Sequence, residues 1–269
     1  MTKTIISSKS DSLRVYLKKI WQHRSLILTL AKRDLKIKYA QTALGLAWTV
    51  LQPLVAVTIY TVFFSELMNF QTSEPYILFV LSGVLLWSLF NYIFAHGSSS
   101  LTQNQDLIKK LAFPKIILPL SKVMLSLVEF SITLILLIAL MAYFRVPLKW
   151  TMLWTPIILL PLILMSLGLA LSLSAATIKK RDLFHIVPFL INFGIWLTPV
   201  FYPVSLIPAK YASLLYLNPI ASILQLFRWS LFGGALNPLV LIGLSLSFLI
   251  FIFGFFHFKS KEDKIIDVL

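Results

Sequence analysis

Residues Ala31–Leu54 read AKRDLKIKYAQTALGLAWTVLQPL. Lys32, Arg33, Lys36 and Lys38 crowd the first part, and no charge remains from Leu44 to Leu54. A run that is cationic at one end and apolar at the other sits wholly neither in water nor in lipid; it passes between them. Lys and Arg are retained on the cytoplasmic side of a span. The stretch therefore predicts a chain that enters the membrane from the cytoplasm through a basic collar.

The composition agrees. Hydrophobic residues make up 58% of the 269 residues and charged ones 13%, whereas a soluble domain carries roughly a quarter charged residues. The net charge of +14 would suggest nucleic acid in a soluble protein. Here the bases flank apolar runs, where anionic headgroups are the nearer partner, so membrane lipids and no nucleic acid are expected. With no cysteine, neither a disulfide nor thiol chemistry is available. The first forty or so residues are polar and basic, without the short apolar core and small-residue cleavage site of a secretion signal.

About 20 apolar residues cross a bilayer core. Six stretches qualify, at about 44–66, 76–97, 121–144, 153–177, 184–202 and 236–257. Four Lys and Arg (Arg145, Lys149, Lys210 and Arg228) fall on the far side of this layout, and all the others on the N-terminal side. That asymmetry predicts both termini in the cytoplasm. Between the fifth and sixth stretches, Pro199, Pro203, Pro208 and Pro219 break the chain into pieces too short to span. Parity then requires the region at about 203–234 to be re-entrant, one or two short helices that dip into the outer leaflet and return. Its broken backbone would lie against protein, because lipid satisfies no hydrogen bonds.

Ahead of the spans, Leu13, Tyr16, Leu17, Ile20 and Trp21 recur at helical spacing, with Arg14, Lys18 and Lys19 opposite and Asp11 as N-cap. This is an amphipathic helix, expected in the membrane interface or, alternatively, against a partner protein. The organisation that follows is a cytoplasmic N-terminus over 1–43, a transmembrane domain over 44–258 and a cytoplasmic tail over 259–269.

Enzymatic constellations are lacking. None of the nine glycines precedes a Lys, so no phosphate-cradling G-x-x-x-x-G-K-[ST] loop is present. His23, His96, His185 and His257 are scattered without metal-ligand spacing, and the one adjacent acidic pair, Glu262-Asp263, lies in the basic tail. No catalytic residue and no metal site are expected. An ion-coupled carrier keeps ionisable groups at membrane depth. Glu129 is the candidate for that role, with Lys122 two turns away as a possible partner; the other reading of Glu129 is a hydrogen bond to a neighbouring helix or across a dimer. A membrane enzyme acting on lipid-linked sugars would want paired carboxylates, and Asp106 and Asp182 stand alone.

Four passages, in order, resemble one family. They are RDLKIKYAQTALGLAWTVLQPL with Arg33, Asp34, Tyr39, Gly45, Trp48, Gln52 and Pro53; Ile108–Val123 (IKKLAFPKIILPLSKV); the KKRDLFHIVPFLINFGIWLTPVFYP run from Lys179 to Pro203; and Tyr216–Arg228 (YLNPIASILQLFR). Together they look like the type-2 ABC export permeases that move O-antigen, teichoic acid and capsular polysaccharide. The resemblance implies an all-α fold of six transmembrane helices, an N-terminal amphipathic helix and short re-entrant helices before the last span. It also implies a homodimer in the bacterial inner membrane, served by two copies of a separate ATPase that holds the ATP and Mg. This chain would bind no cofactor itself.

The resemblance further implies a coupling helix at about 103–114 that docks in the ATPase. Leu107, Ile108, Lys109, Lys110, Leu111, Phe113 and Pro114 would carry it, and these apolar residues are too many for a loop meant only for water. The cluster Lys179–Asp182 is a second contact candidate or a plain orientation anchor. The implied substrate is a polysaccharide on a polyprenyl diphosphate, an O-antigen-type glycan ahead of teichoic or capsular polymers. Arg33, Lys36, Lys38 and Tyr39 suit its diphosphate, because charge-assisted contacts to phosphate oxygens are strong; positive-inside anchoring also accounts for the three cations. Aromatic faces stack on sugar rings without fixing one hydroxyl pattern, so Tyr60, Phe63, Phe64, Trp87, Tyr92, Trp196, Phe201 and Tyr202 are the expected lining. An interfacial Trp/Tyr belt is the competing account of them.

Overall fold

A computed structural model of the chain describes residues 12–68, 70, 72–177 and 182–262. The described residues form helices joined by short irregular segments, without strands. Helix α1 is Leu13–Gln22 and α2 is Arg24–Tyr39. Helix α3, Trp48–Tyr60, is prolonged by a 3-10 turn at Gly45–Ala47 and a π-helical turn at Thr61–Leu67. Then come α4 (Tyr76–Gln103), α5 (Gln105–Lys110), α6 (Ile117–Tyr143), α7 (Thr155–Thr177), α8 (Leu183–Leu197), α9 (Ala209–Ala212), α10 (Pro219–Phe232) and α11 (Val240–Glu262).

Five of these are long and apolar enough to cross a membrane: Gly45–Glu66, Tyr76–Gln103, Ile117–Tyr143, Trp150–Thr177 and Val240–Glu262. Helix α4 runs further than its apolar stretch because its last turns satisfy their own hydroxyls. Ser98, Ser100 and Thr102 each donate to a carbonyl three or four residues back, so polar side chains continue the helix inside the bundle. The stretch expected at 184–202 is helical only over the 15 residues of α8, about 22 Å at 1.5 Å per residue. It stops at Leu197 because Pro199 disfavours helical geometry in the residue before it, and Thr198 is extended. Asp11, Lys179–Arg181 and the tail beyond Glu262 lie outside the described residues.

Helix α4 is the hub, flanked by α6, α7 and α8. Of its most apolar window 67% is buried inside the chain, against 6% for the span containing α3. Helices α7 and α11 cross closely through two glycines: a Cβ on Gly168 would lie 2.6 Å from Phe251 Cα, and one on Gly254 would overlap the Gly168 carbonyl. Small residues let backbones approach where lipid supplies no hydrophobic drive between helices. Ser172 meets His257 at 3.2 Å one turn further along, so α7 and α11 run parallel.

The start of α6 and the end of α11 meet at Glu262. Its carboxylate accepts 2.5 Å hydrogen bonds from the Lys115 backbone N–H and from Tyr16 on α1. Burial pulls the Lys115 ammonium below its ordinary pKa, against the opposing pull of Glu262. This basic end also holds α2 and α5. At the other end α10 lies across the bundle, and its buried residues face the first turns of α4, α7 and α11. Asn218 caps it, accepting from the Ile220 and Ala221 N–H groups, with Pro219 at the first helical position.

Candidate functional site at the membrane entrance and the aromatic cluster

Helix α2 sets Asp34 and Lys38 one turn apart, and α6 answers with Lys122 and Glu129 two turns apart. The charges alternate, so the helices pair like a two-tooth zip. Lys122 Nζ lies 2.5 Å from Asp34, both side chains being largely buried. Lys38 Nζ lies 2.5 Å from Glu129 Oε1 with 40% of the lysine side chain exposed. Arg33 donates to Asp34 at 2.8 Å and to Asn104 at 2.9 Å. Burial pushes the Asp34 carboxyl up, but its bonds with Lys122 and Arg33 outweigh that and hold it below the ordinary carboxylate value.

Lys122 is therefore engaged by Asp34, not by Glu129. Seven residues along one helix separate Lys122 from Glu129 by about 10 Å, too far to neutralise each other. Tyr39 donates to Glu129 Oε1 at 2.8 Å and shares a 2.7 Å bond with the Thr49 hydroxyl. Burial and the nearby Glu129 carboxylate, against a smaller opposing effect of Thr49, push the Tyr39 phenol up to about 12. Between α2, α3, α4 and α6 these residues border a cavity of about 110 Å³, lined also by Gln52, Ser88 and Tyr92. Of the four expected headgroup residues, Arg33, Lys38 and Tyr39 meet this network, while Lys36 stands exposed outside it.

Six of the eight expected lining aromatics gather around Phe201, which is fully enclosed. Its ring lies 4.1 Å from Tyr60, 5.9 Å and parallel to Phe64, and 5.4 Å from Trp196. Phe63 packs edge-on to Phe64 at 5.4 Å, and Tyr202 donates to the Trp196 carbonyl at 3.0 Å. Phe63 and Trp196 present their outer faces away from the chain. The other two go elsewhere. Trp87 is buried against Phe90 and Gly194, and Tyr92 belongs to the entrance, 4.7 Å from Lys38 Nζ and 4.2 Å from the His96 ring.

The expected coupling segment forms the six-residue α5 and the turn after it. Ile108 and Phe113 point into the chain's own core, whereas Leu111, Lys109 and Lys110 are exposed and Leu107 and Pro114 are half-buried. Gln103, Asp106 and Ala112 in the same segment are exposed beside them.

Sequence reasoning passed over Arg228. Its guanidinium is buried on α10 and donates to the carbonyls of Pro199 (2.7 Å), Val200 (2.9 Å) and Phe79 (3.0 Å), while lying 3.5 Å over the Phe79 ring. Gly83 makes the room: a Cβ there would come within 2.9 Å of the Val200 carbonyl. The signal was present, an Arg inside an apolar run with no acid beside it.

The ABC-2 type transporter family model matches residues 25–232. The chain is 33% identical over 214 residues to the O-antigen export system permease protein RfbA of Myxococcus xanthus, covering 78% of this chain and 82% of that protein. To an RfbA of Klebsiella pneumoniae, described in the same words, it is 29% identical over 248 residues, 91% of this chain and 95% of that one. To the polysialic acid transport protein KpsM of Escherichia coli it is 21% identical, over 81% and 83% of the two chains. The charge zip, the aromatic cluster and the buried arginine all fall within the matched residues, and this chain belongs to the ABC-2 type transporter family.

Proposed function

We propose that this chain is the membrane-spanning permease subunit of an ATP-driven exporter that carries a polyprenyl-diphosphate-linked polysaccharide of the O-antigen type across the bacterial inner membrane. The observation that carries the reading is likeness along most of the chain to two O-antigen export permeases. A separate ATPase, in two copies, supplies the energy and holds the ATP and Mg. Lys109, Lys110 and Leu111 are the exposed part of its docking surface.

In this reading there are six crossings with both termini in the cytoplasm. The parallel run of α7 and α11 supports it, because a chain leaving α7 at the basic end must return to the opposite end to begin α11. Helix α8, extended by residues 198–203, is the segment that makes the return. Helix α10 is then the re-entrant helix, and α1 rests in the interface on Leu13, Leu17 and Trp21, which are exposed. The thinly packed α3 and α8 face a second copy, and the Phe201 cluster between them borders the glycan path. Arg33, Lys36, Lys38 and Tyr39 receive the diphosphate.

The experiment is deletion and complementation, with copurification. Loss of the chain removes a long surface glycan, which only co-expressed chain and ATPase restore, and the two purify together. Intact surface glycan on deletion, or transport without an ATPase, would overturn the reading. The likeness to the polysialic acid transport protein favours a capsular polymer as the second reading, separated by which polymer disappears.

A further inference from the structure

The two ion pairs of the charge zip are unlike each other. Asp34 is gripped from two sides, by Lys122 and Arg33, at the better-buried tooth. Glu129 receives both of its donors, Lys38 Nζ and Tyr39 Oη, on the single oxygen Oε1. A cation and a hydroxyl converging on one anionic oxygen is also the arrangement that grips a phosphate oxygen. The Thr49 hydroxyl stands behind Tyr39, and the site opens on the cavity that Gln52 and Ser88 line. Beyond Tyr39 the chain turns into α3 through two residues with left-handed backbone, Gln41 (φ 58°) and Gly45 (φ 51°). For Gln41 that conformation is uncommon and marks a strained turn.

We propose that Glu129 is a built-in stand-in for a phosphate: an anionic diphosphate headgroup displaces its carboxylate from Lys38 and Tyr39, and the exchange unlatches the end of α2 from α6. This rests on the export reading above and adds what starts the movement. The Asp34–Lys122 pair stays closed and acts as the anchor, while the 40–45 turn takes up the motion. A diphosphate brings more charge and more acceptor oxygens than one carboxylate, so it can win the exchange where a neutral sugar or a lipid alcohol cannot. The displaced Glu129 keeps water and hydroxyl groups around it in the polar cavity.

The test uses the full chain with its ATPase in phosphatidylcholine nanodiscs, and geranylgeranyl diphosphate as the probe. Because the chain has no cysteine, Ile37→Cys carries a single nitroxide on the exposed side of α2. Geranylgeranyl diphosphate is expected to mobilise that label, inorganic diphosphate to compete with it, and geranylgeraniol to do neither. Nanodiscs containing phosphatidylglycerol should leave the label immobile; mobilisation by that lipid alone would overturn the headgroup assignment. Glu129→Gln should mobilise the label without ligand and bind the probe about tenfold tighter, the factor by which a nine-tenths-latched population lowers apparent affinity. Lys38→Gln, which loses a charge-assisted contact to the headgroup, should bind it about tenfold more weakly. An unmoved label in the unsubstituted chain, a readout that needs no change at Glu129, would sink the switch. So would a Glu129→Gln chain that binds no tighter. If all variants bind alike, the switch fails while the export reading stands. If the unsubstituted complex neither binds the probe nor restores surface glycan, the export reading itself has failed.

Discussion

Arg228 donates its guanidinium to the carbonyl of Val200, 2.9 Å away and one residue before the ring at the centre of the aromatic cluster. Phe201 is held from behind as well, since Tyr76 donates to its carbonyl. The short α8 and the cross-lying α10 are thus joined through backbone carbonyls that no helix or sheet satisfies.

Replacing Arg228 tests this joint. Lys in its place offers a point charge where three carbonyls want a planar fork, and a buried acceptor left unmet costs about 1–3 kcal/mol. Arg228→Lys is expected to lower the unfolding midpoint of the purified chain in detergent by several degrees, and Arg228→Met by more. Equal midpoints would mean that the fork is dispensable.

Tyr16 and Glu262 connect residues 246 positions apart. Removing the phenol hydroxyl in Tyr16→Phe takes away a hydrogen bond to a charged group, worth about 1.5–3 kcal/mol. The expected outcome is local: amide exchange in α1 quickens at least tenfold while α4 and α7 keep their protection. Uniform loss of protection would contradict a local clip.

Asp34 sets a pH dependence whose sign follows from its lowered pKa. A carboxyl held below its ordinary value of about 3.9 adds stability that is fully present above that pH and fades as the pH falls through the lower folded value. Asp34→Asn leaves Lys122 buried and unpaired, at a cost of about 3 kcal/mol. The gap between the unsubstituted chain and Asp34→Asn should be constant from about pH 5 to 8 and narrow only below about pH 4. Thermal melts across that range would read it.

The segment after α4 separates into residues that hold the fold and residues that face outward. Ile108→Ala removes a core side chain and should destabilise the chain by about 2–4 kcal/mol. Leu111→Asp at an exposed position should leave stability within about 0.5 kcal/mol and instead weaken ATPase copurification. Loss of both properties in Leu111→Asp would place it in the core.

Close packing at Gly254 gives the last prediction. A methyl there meets the Gly168 backbone, which cannot give way as a flexible side chain would. Overpacking typically costs about 1–3 kcal/mol, so Gly254→Ala should insert poorly and melt early, whereas Ser245→Ala, at an exposed position of the same helix, should do neither. Comparable yields of stably folded protein from both would contradict the close crossing.

Hydrophobic run length and the placing of Lys and Arg determined the membrane class and located five of the six expected apolar stretches as helices long enough to span, because those depend on local transfer into lipid. Tyr60, Phe63, Phe64, Trp196, Phe201 and Tyr202, grouped in the sequence because aromatic faces suit a glycan, are gathered by the fold around Phe201. Which charges pair was not legible. Glu129 lay nearer in sequence to Lys122 than to any other cation, yet the packing of α2 against α6 gave Lys122 to Asp34 and Lys38 to Glu129. The burial of Trp87, the transfer of Tyr92 to the entrance and the use of Arg228 as a carbonyl clamp were likewise decided by tertiary structure. An apolar residue inside a bilayer is equally content facing lipid or protein, so its sequence carries no preference for one helix neighbour over another; close approach at small residues and unmet backbone groups make that choice.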